Sequence, residues 1–129
     1  MMEREEKFIL WFSGIGKDDA ALVGGKNASL GEMFNHLPGL GVRVPDGFAI
    51  TTSAYNYFIS HADLEGKIKE ILREAEEGAA NLDYTSSRIK RIILSVALPE
   101  DLERAIVCAY AELEEKIREV KKSLSLIHI

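Results

Sequence analysis

Hydrophobic positions first cluster at Phe8-Ile9-Leu10-Trp11-Phe12, with charge before them and Ser13-Gly14 after. An apolar run this short, closed by turn formers, predicts a buried strand. Gly14 to Asp19 reads as a polar connection, and Leu22-Val23-Gly24-Gly25 as a short apolar stretch ending in two glycines. From Asn27 to Leu37 the spacing is helical, with Leu30, Met33, Phe34 and Leu37 on one face. Pro38-Gly39 stops it. Val42–Val44 and Gly47–Ile50 then bracket Pro45-Asp46, a turn between two extended pieces.

Thr51-Thr52-Ser53 offers N-cap hydroxyls for a further helix, whose apolar side is Ala54, Tyr55, Phe58 and Ile59. From Asp63 the pattern becomes amphipathic helix throughout. Leu64, Ile68, Ile71, Leu72 and Ala75 form one stripe, and Ile89, Ile92, Ile93 and Val96 a second. Pro99-Glu100-Asp101 marks a helix start, with proline in the first turn and acids at the positive end of the dipole. Leu102, Ile106, Ala109, Leu113, Ile117 and Val120 continue that helix by steps of three and four. No internal repeat or low-complexity tract interrupts the chain. Short strands and helices around glycines, followed by amphipathic helices, predict an α+β fold.

At 129 residues, 47% hydrophobic and 29% charged, the chain has the size and composition of one folded domain and not of a disordered segment. A net charge of -5 argues against nucleic acid as a partner, but a single nucleotide needs only a few well-placed donors. The lone cysteine, Cys108, has no internal disulfide partner. Its stretch, Ala105 to Ala109, reads as the buried side of a helix, so a core role is expected for it. Met1 to Lys7 is charged and has no signal-peptide apolar stretch behind it. No run reaches membrane-spanning length. A cytoplasmic location without membrane contact is expected.

Candidate chemistry concentrates in Val23–Met33, VGGKNASLGEM. Gly24 and Gly25 free the backbone for close approach to a ligand and for positive φ. Lys26 follows where a helix begins, and a helix N-terminus presents unpaired N–H groups and partial positive charge. These features make a phosphate cradle; the same pattern also describes a turn followed by a solvated lysine. It is neither GxxxxGK[ST] nor GxGxxG. Asn27 and Ser29 read as caps, and Glu32 as an exposed helix residue. Thr51 and Thr52 end a strand and open a helix, which suits both capping and ligand contact. His36, His61 and His128 lie far apart with no partners at metal-ligand spacing, and no GxSxG, HExxH or carboxylate pair is present.

The stretch WFSGIGKDDAALVGGKNASLGEM (Trp11–Met33), then VPDGFAI (Val44–Ile50), then Thr51-Thr52-Ser53-Ala54-Tyr55, resembles the start of the phosphoenolpyruvate synthase and pyruvate, phosphate dikinase family. The resemblance is strong over residues 8–60 and weakly diagnostic from Asp63 to Lys121. It implies part of an ATP-grasp-like domain that binds ATP with magnesium. The enzyme it implies phosphorylates one of its own histidines and then pyruvate, giving phosphoenolpyruvate, AMP and phosphate. By position Lys26 matches the family's ATP-phosphate lysine, Gly24 and Gly25 its glycine pair, and Thr51 and Thr52 the strand end near the nucleotide. The metal ligands, the phosphorylated histidine and the pyruvate site are implied elsewhere, so this chain is expected to hold no catalytic residue and no metal ligand.

The family's next signature, a Val-Arg-Ser-Ser-Ala stretch, does not appear, and Ser123–Ile129 (SLSLIHI) does not resemble the family at that place. The expectation is an incomplete ATP-binding domain over residues 1–122 with an unrelated tail, partnered in a full enzyme by the remaining domains. His128 is not expected to be the phosphorylated histidine. Two alternatives stay open: a stand-alone nucleotide-binding or regulatory module, and a piece of a related dikinase with another acceptor.

Overall fold

The apolar run at residues 8–12 becomes a strand only in its centre. In the computed structural model, which describes residues 3–78 and 81–127, β1 (Ile9–Trp11) pairs antiparallel with β2 (Phe48–Ile50), placing Leu10 opposite Ala49 and Trp11 opposite Phe48. Period-two alternation buries Leu10 and Ala49 and turns Ile50 outward. The pairing is prolonged by Phe12 N–H to the Gly47 carbonyl and Thr51 N–H to the Phe8 carbonyl, both 3.0 Å. Gly47 permits this: a Cβ there would lie 2.6 Å from the Phe12 ring. The extended piece expected at Val42–Val44 is not a strand. A 3-10 turn at Leu37–Leu40 ends in left-handed Gly41, and the Val42 amide folds back to the Leu37 carbonyl at 3.1 Å instead of reaching the sheet.

Between the strands lie α1 (Ala20–Val23) and α2 (Gly25–His36). The expected apolar face of α2 is displaced. Ala28 and Gly31 are the buried positions, Leu30 and Phe34 pack beside them, and Met33 is 39% exposed. The reason is close approach. A Cβ on Gly31 would lie 2.5 Å from the Ile15 carbonyl oxygen, so only a small residue lets the 12–15 segment lie on the helix. Ile15 is 2% exposed, and the expected polar connection is thus two 3-10 turns, Phe12–Gly14 and Lys17–Asp19, around a core residue. Asn35 Nδ2 donates to the carbonyls of Phe12, Ile15 and Gly31 at 2.9–3.0 Å and clamps that segment down. Leu10, Phe12, Ile15, Val23, Ala28 and Ala49 form the core.

Thr51 opens α3 (Thr52–Ile59): its hydroxyl accepts from the Ala54 amide at 3.2 Å and donates to the Lys7 carbonyl at 2.6 Å. Ala54 and Phe58 are buried; Tyr55, expected on the same side, is exposed. In α6 (Glu100–Ile127) Leu102 and Ala109 are buried, with Ile106 and Leu113 half-buried. Cys108 is exposed, which corrects the core role expected for it. At about 100° per residue it sits roughly 120° from Leu102 and about 100° from Ala109 around the helix. Lys116 Nζ lies 3.7 Å from the Trp11 ring centroid and 3.1 Å from Asp46 Oδ2, joining α6 to β1 and the turn before β2.

Two compact units divide the chain: the described parts of residues 1–55 with 101–129, and of residues 56–100. The second holds α4 (Leu64–Glu76) and α5 (Leu82–Ser95). Leu64 and Ile71 are buried, and Arg88 on α5 pairs with Glu74 on α4 at 2.5 Å. The stripe at Ile89–Val96 belongs to a helix that starts seven residues earlier than its apolar positions indicate, because Asn81 caps it through the Tyr84 amide at 2.8 Å. With a two-stranded antiparallel sheet and six α-helices among the described residues, the architecture is α+β.

Candidate functional site

Gly24 has φ +86° and ψ 158°, a conformation that is essentially glycine's alone. It ends α1, with its amide on the Ala20 carbonyl at 2.8 Å, and starts α2, whose first backbone bond runs from the Ala28 amide to the Gly24 carbonyl at 3.0 Å. No side chain caps the N-terminus of α2 and its first turn holds no acid. The amides of Gly25, Lys26 and Asn27 therefore face outward together, at the end of the helix with a partial charge of roughly +0.5. Lys26 is exposed on this first turn and adds a full positive charge and three donors. The space over both glycines is open: a Cβ built on Gly24 or Gly25 meets nothing within 4 Å.

Neighbouring elements brace the turn. Exposed Thr52 donates its hydroxyl to the Ala21 carbonyl on α1 at 3.0 Å, bringing the start of α3 to the segment that enters Gly24. Thr51 is 2% exposed, and its hydroxyl is engaged with Lys7 and Ala54, so it shapes this corner from within. Asn27, expected as a cap, instead sends Nδ2 back across Gly24 to the Val23 carbonyl at 2.9 Å. Glu32, expected to be an exposed helix residue, is half-buried; it accepts from the Lys17 amide at 2.9 Å and pairs with His36 at 3.0 Å. Arg4 grips Asp19 with both terminal guanidinium nitrogens. That grip, followed by the Gly16 amide, lowers the Asp19 carboxyl to about 2.

The structure thus brings Gly24, Gly25, Lys26 and Thr52 to one corner, with Thr51 beneath it. His36 and His61 are not part of it: His61 lies edge-on to Tyr57, 4.5 Å between centroids. His128 lies outside the described residues. The corner offers nitrogen donors and one exposed hydroxyl oxygen, that of Thr52, and among the described residues no group of three or more His, Cys, Asp or Glu is placed to hold a metal ion. It fits an anionic ligand, and metal-binding carboxylates are not part of its donor set. Among the described residues no helix is long and apolar enough to cross a membrane.

A cleft of about 820 Å³ lies elsewhere in the same unit. Phe34, Pro38, Val44, Pro45, Val120 and Leu124 give it mainly apolar walls, with Arg43, Asp46, Lys116 and Glu119 among them. Phe34 is eight residues along α2 from Lys26, about 12 Å by helical rise, so the cleft and the glycine turn are at opposite ends of one helix. Sequence reasoning missed the supports, Asn35, Arg4 and the back-bond of Asn27. Each acts on a carbonyl or carboxylate that only the folded chain brings within reach.

Comparison with known proteins identifies the family of the segment that carries this corner. The family model for the pyruvate phosphate dikinase AMP/ATP-binding domain matches residues 20–126, from α1 through most of α6. Phosphoenolpyruvate synthase of Synechocystis sp. is 42% identical over 114 residues, covering 88% of this chain and 14% of that protein. The Escherichia coli phosphoenolpyruvate synthase is 40% identical over 106 residues, 81% of this chain and 13% of that protein. The probable phosphoenolpyruvate synthase of Methanocaldococcus jannaschii is 40% identical over 110 residues, 84% and 9%. The chain spans about one-seventh or less of the length of these relatives.

Proposed function

The chain belongs to the pyruvate phosphate dikinase AMP/ATP-binding domain family, and from that we propose that it binds the phosphates of ATP at the Gly24–Lys26 turn. The observation that carries this reading is the Gly24 conformation. It leaves three uncapped amides at the mouth of α2, beside exposed Lys26 and the open space over both glycines, inside the segment that matches an ATP-binding family. Lys26 supplies charge, Gly24 the turn, and Gly25 the space for a phosphate oxygen to come close. Thr52 borders the nucleotide from the start of α3, and Thr51 holds that border in place. A partial ATP-grasp-like domain is the fold we assign to this role.

The relatives' names support reading the chain as part of a larger phosphoenolpyruvate synthase. There ATP would phosphorylate an enzyme histidine and the phosphoryl group would pass to pyruvate, giving phosphoenolpyruvate, AMP and phosphate. Phosphoryl transfer depends on positioning and charge stabilisation, which fixed amides and a lysine provide. Magnesium, when bound, would neutralise phosphate charge; its carboxylate ligands, the histidine and the pyruvate site fall to other domains. On this reading the 129-residue chain binds ATP weakly, turns nothing over by itself, and works in the cytoplasm. Exposed apolar side chains on the helical second half, among them Leu94 and Val120, favour a piece of a larger protein over a stand-alone module. The test is ATP binding to the chain and to Lys26→Ala, followed by calorimetry or NMR. Loss of binding in the variant supports the reading, and undiminished binding removes Lys26 from the site.

A further inference from the structure

We infer that Asn27 is a positioning residue that keeps the phosphate-facing amides of α2 unoccupied. The inference rests on the ATP-binding reading above and adds a device to it. In an unbroken helix the Val23 carbonyl would take the amide hydrogen of Asn27, four residues on. Gly24 breaks that ladder, and its φ of +86° swings α2 away from the line of α1. The Val23 carbonyl, ending a helix and half-enclosed by the turn, would be left without its donor, and such a group is costly to leave unmet. The side chain of Asn27 meets it instead, Nδ2 to O at 2.9 Å. One residue thus satisfies the carbonyl with its side chain while its own backbone amide stays at the helix mouth with those of Gly25 and Lys26.

The alternative arrangement is close at hand. If the side-chain donor is removed, the Val23 carbonyl regains a protein partner by drawing in the amide of residue 27, which continues α1 into α2 and turns the amides of 25–27 inward. Asn27 therefore selects the open turn over a continuous helix. Aspartate at this position would repel both the carbonyl and a phosphate. Glutamine, which carries the same amide donor on a side chain one methylene longer, would preserve the bond.

Two measurements on the full 129-residue chain test this. The first needs no ligand: amide hydrogen exchange by NMR. Amides 25–27 are expected to exchange at least tenfold faster than Ala28 in the native chain. In Asn27→Ala, amide 27 is expected to slow to the rate of Ala28, and in Asn27→Gln to stay fast. Amide 27 already as slow as Ala28 in the native chain overturns the inference. The second is titration with ATP and with inorganic tripolyphosphate. Asn27→Ala should weaken both about tenfold and Asn27→Gln by less than threefold, with Asn35→Ala as a control that lowers stability but not affinity. Equal affinity in Asn27→Ala and the native chain overturns the positioning role. Native binding that is absent altogether, with the exchange pattern as expected, instead sinks the ATP reading and leaves Asn27 as a device of the turn alone.

Discussion

Gly25→Ala should make the protein more stable and a poorer ATP binder. Gly25 is the first residue of α2, it does not have a positive φ, and a Cβ on it meets nothing within 4 Å. The folded chain by itself thus gives no reason for glycine here. Replacing it removes backbone freedom from the unfolded state and is worth about 0.4–1 kcal/mol of stability. For a domain of this size that raises Tm by about 2–6 °C. The same methyl group would occupy the space over the amides, holding a phosphate oxygen beyond hydrogen-bond distance of at least one donor. Losing one charge-assisted hydrogen bond costs about 1.5–3 kcal/mol, roughly tenfold or more in affinity. Thermal melting and an ATP titration on the same sample read both effects. Gly24→Ala is the contrast: at φ +86° alanine is strained by about 1–3 kcal/mol, so stability and binding should fall together. A Gly25→Ala protein that is more stable and binds ATP like the native chain would refute the argument, because the open space would then serve no ligand.

Other substitutions test the supports. Gly31→Ala should destabilise by about 1–3 kcal/mol despite alanine's better helix propensity, because its methyl would lie 2.5–2.6 Å from the Ile15 backbone and side chain; urea unfolding measures this. Lys116→Met should cost about 1 kcal/mol and alter Trp11 fluorescence, since it removes a cation from the ring and a partner from Asp46. Asp19 has its carboxyl lowered to about 2 in the folded chain by Arg4 and Gly16, against about 3.9 when unfolded. Its contribution is present above pH 4 and is lost as the pH falls through 2. For a partly exposed pair this is about 1 kcal/mol, so Asp19→Asn should flatten the fall in stability between pH 4 and 2, measured by urea melts.

The turn at Gly24 before α2 was legible because its signal is local. Two glycines and a lysine before a helical stripe need no tertiary contact to be noticed, and Gly24 shows the positive φ that its residue type allows. What stayed hidden depends on contacts between distant segments. Ile15, one apolar residue between two glycines, has no periodicity to mark it, yet it is core. The buried face of α2 runs through Ala28 and Gly31, where smallness and not hydrophobicity decides the packing, so Met33, although apolar, is exposed. The start of α5 was missed because Leu82 to Arg88 lacks an apolar stripe; Asn81 before it was the available cap signal. Cys108 looked buried from its apolar neighbours, although counting from Leu102 already puts it off the stripe. Asn27 could not be separated from a simple cap, because its bond depends on how Gly24 turns the chain.

The central claim is that ATP phosphates bind at the N-terminus of α2, and an NMR titration of the isotopically labelled chain tests it most directly. The amide signals of Gly25, Lys26 and Asn27 should shift and saturate at millimolar ATP, and Lys26→Ala should abolish the response. Shifts confined instead to the cleft residues Phe34, Arg43, Asp46 and Lys116, or no saturable shift at the glycine turn, would contradict it.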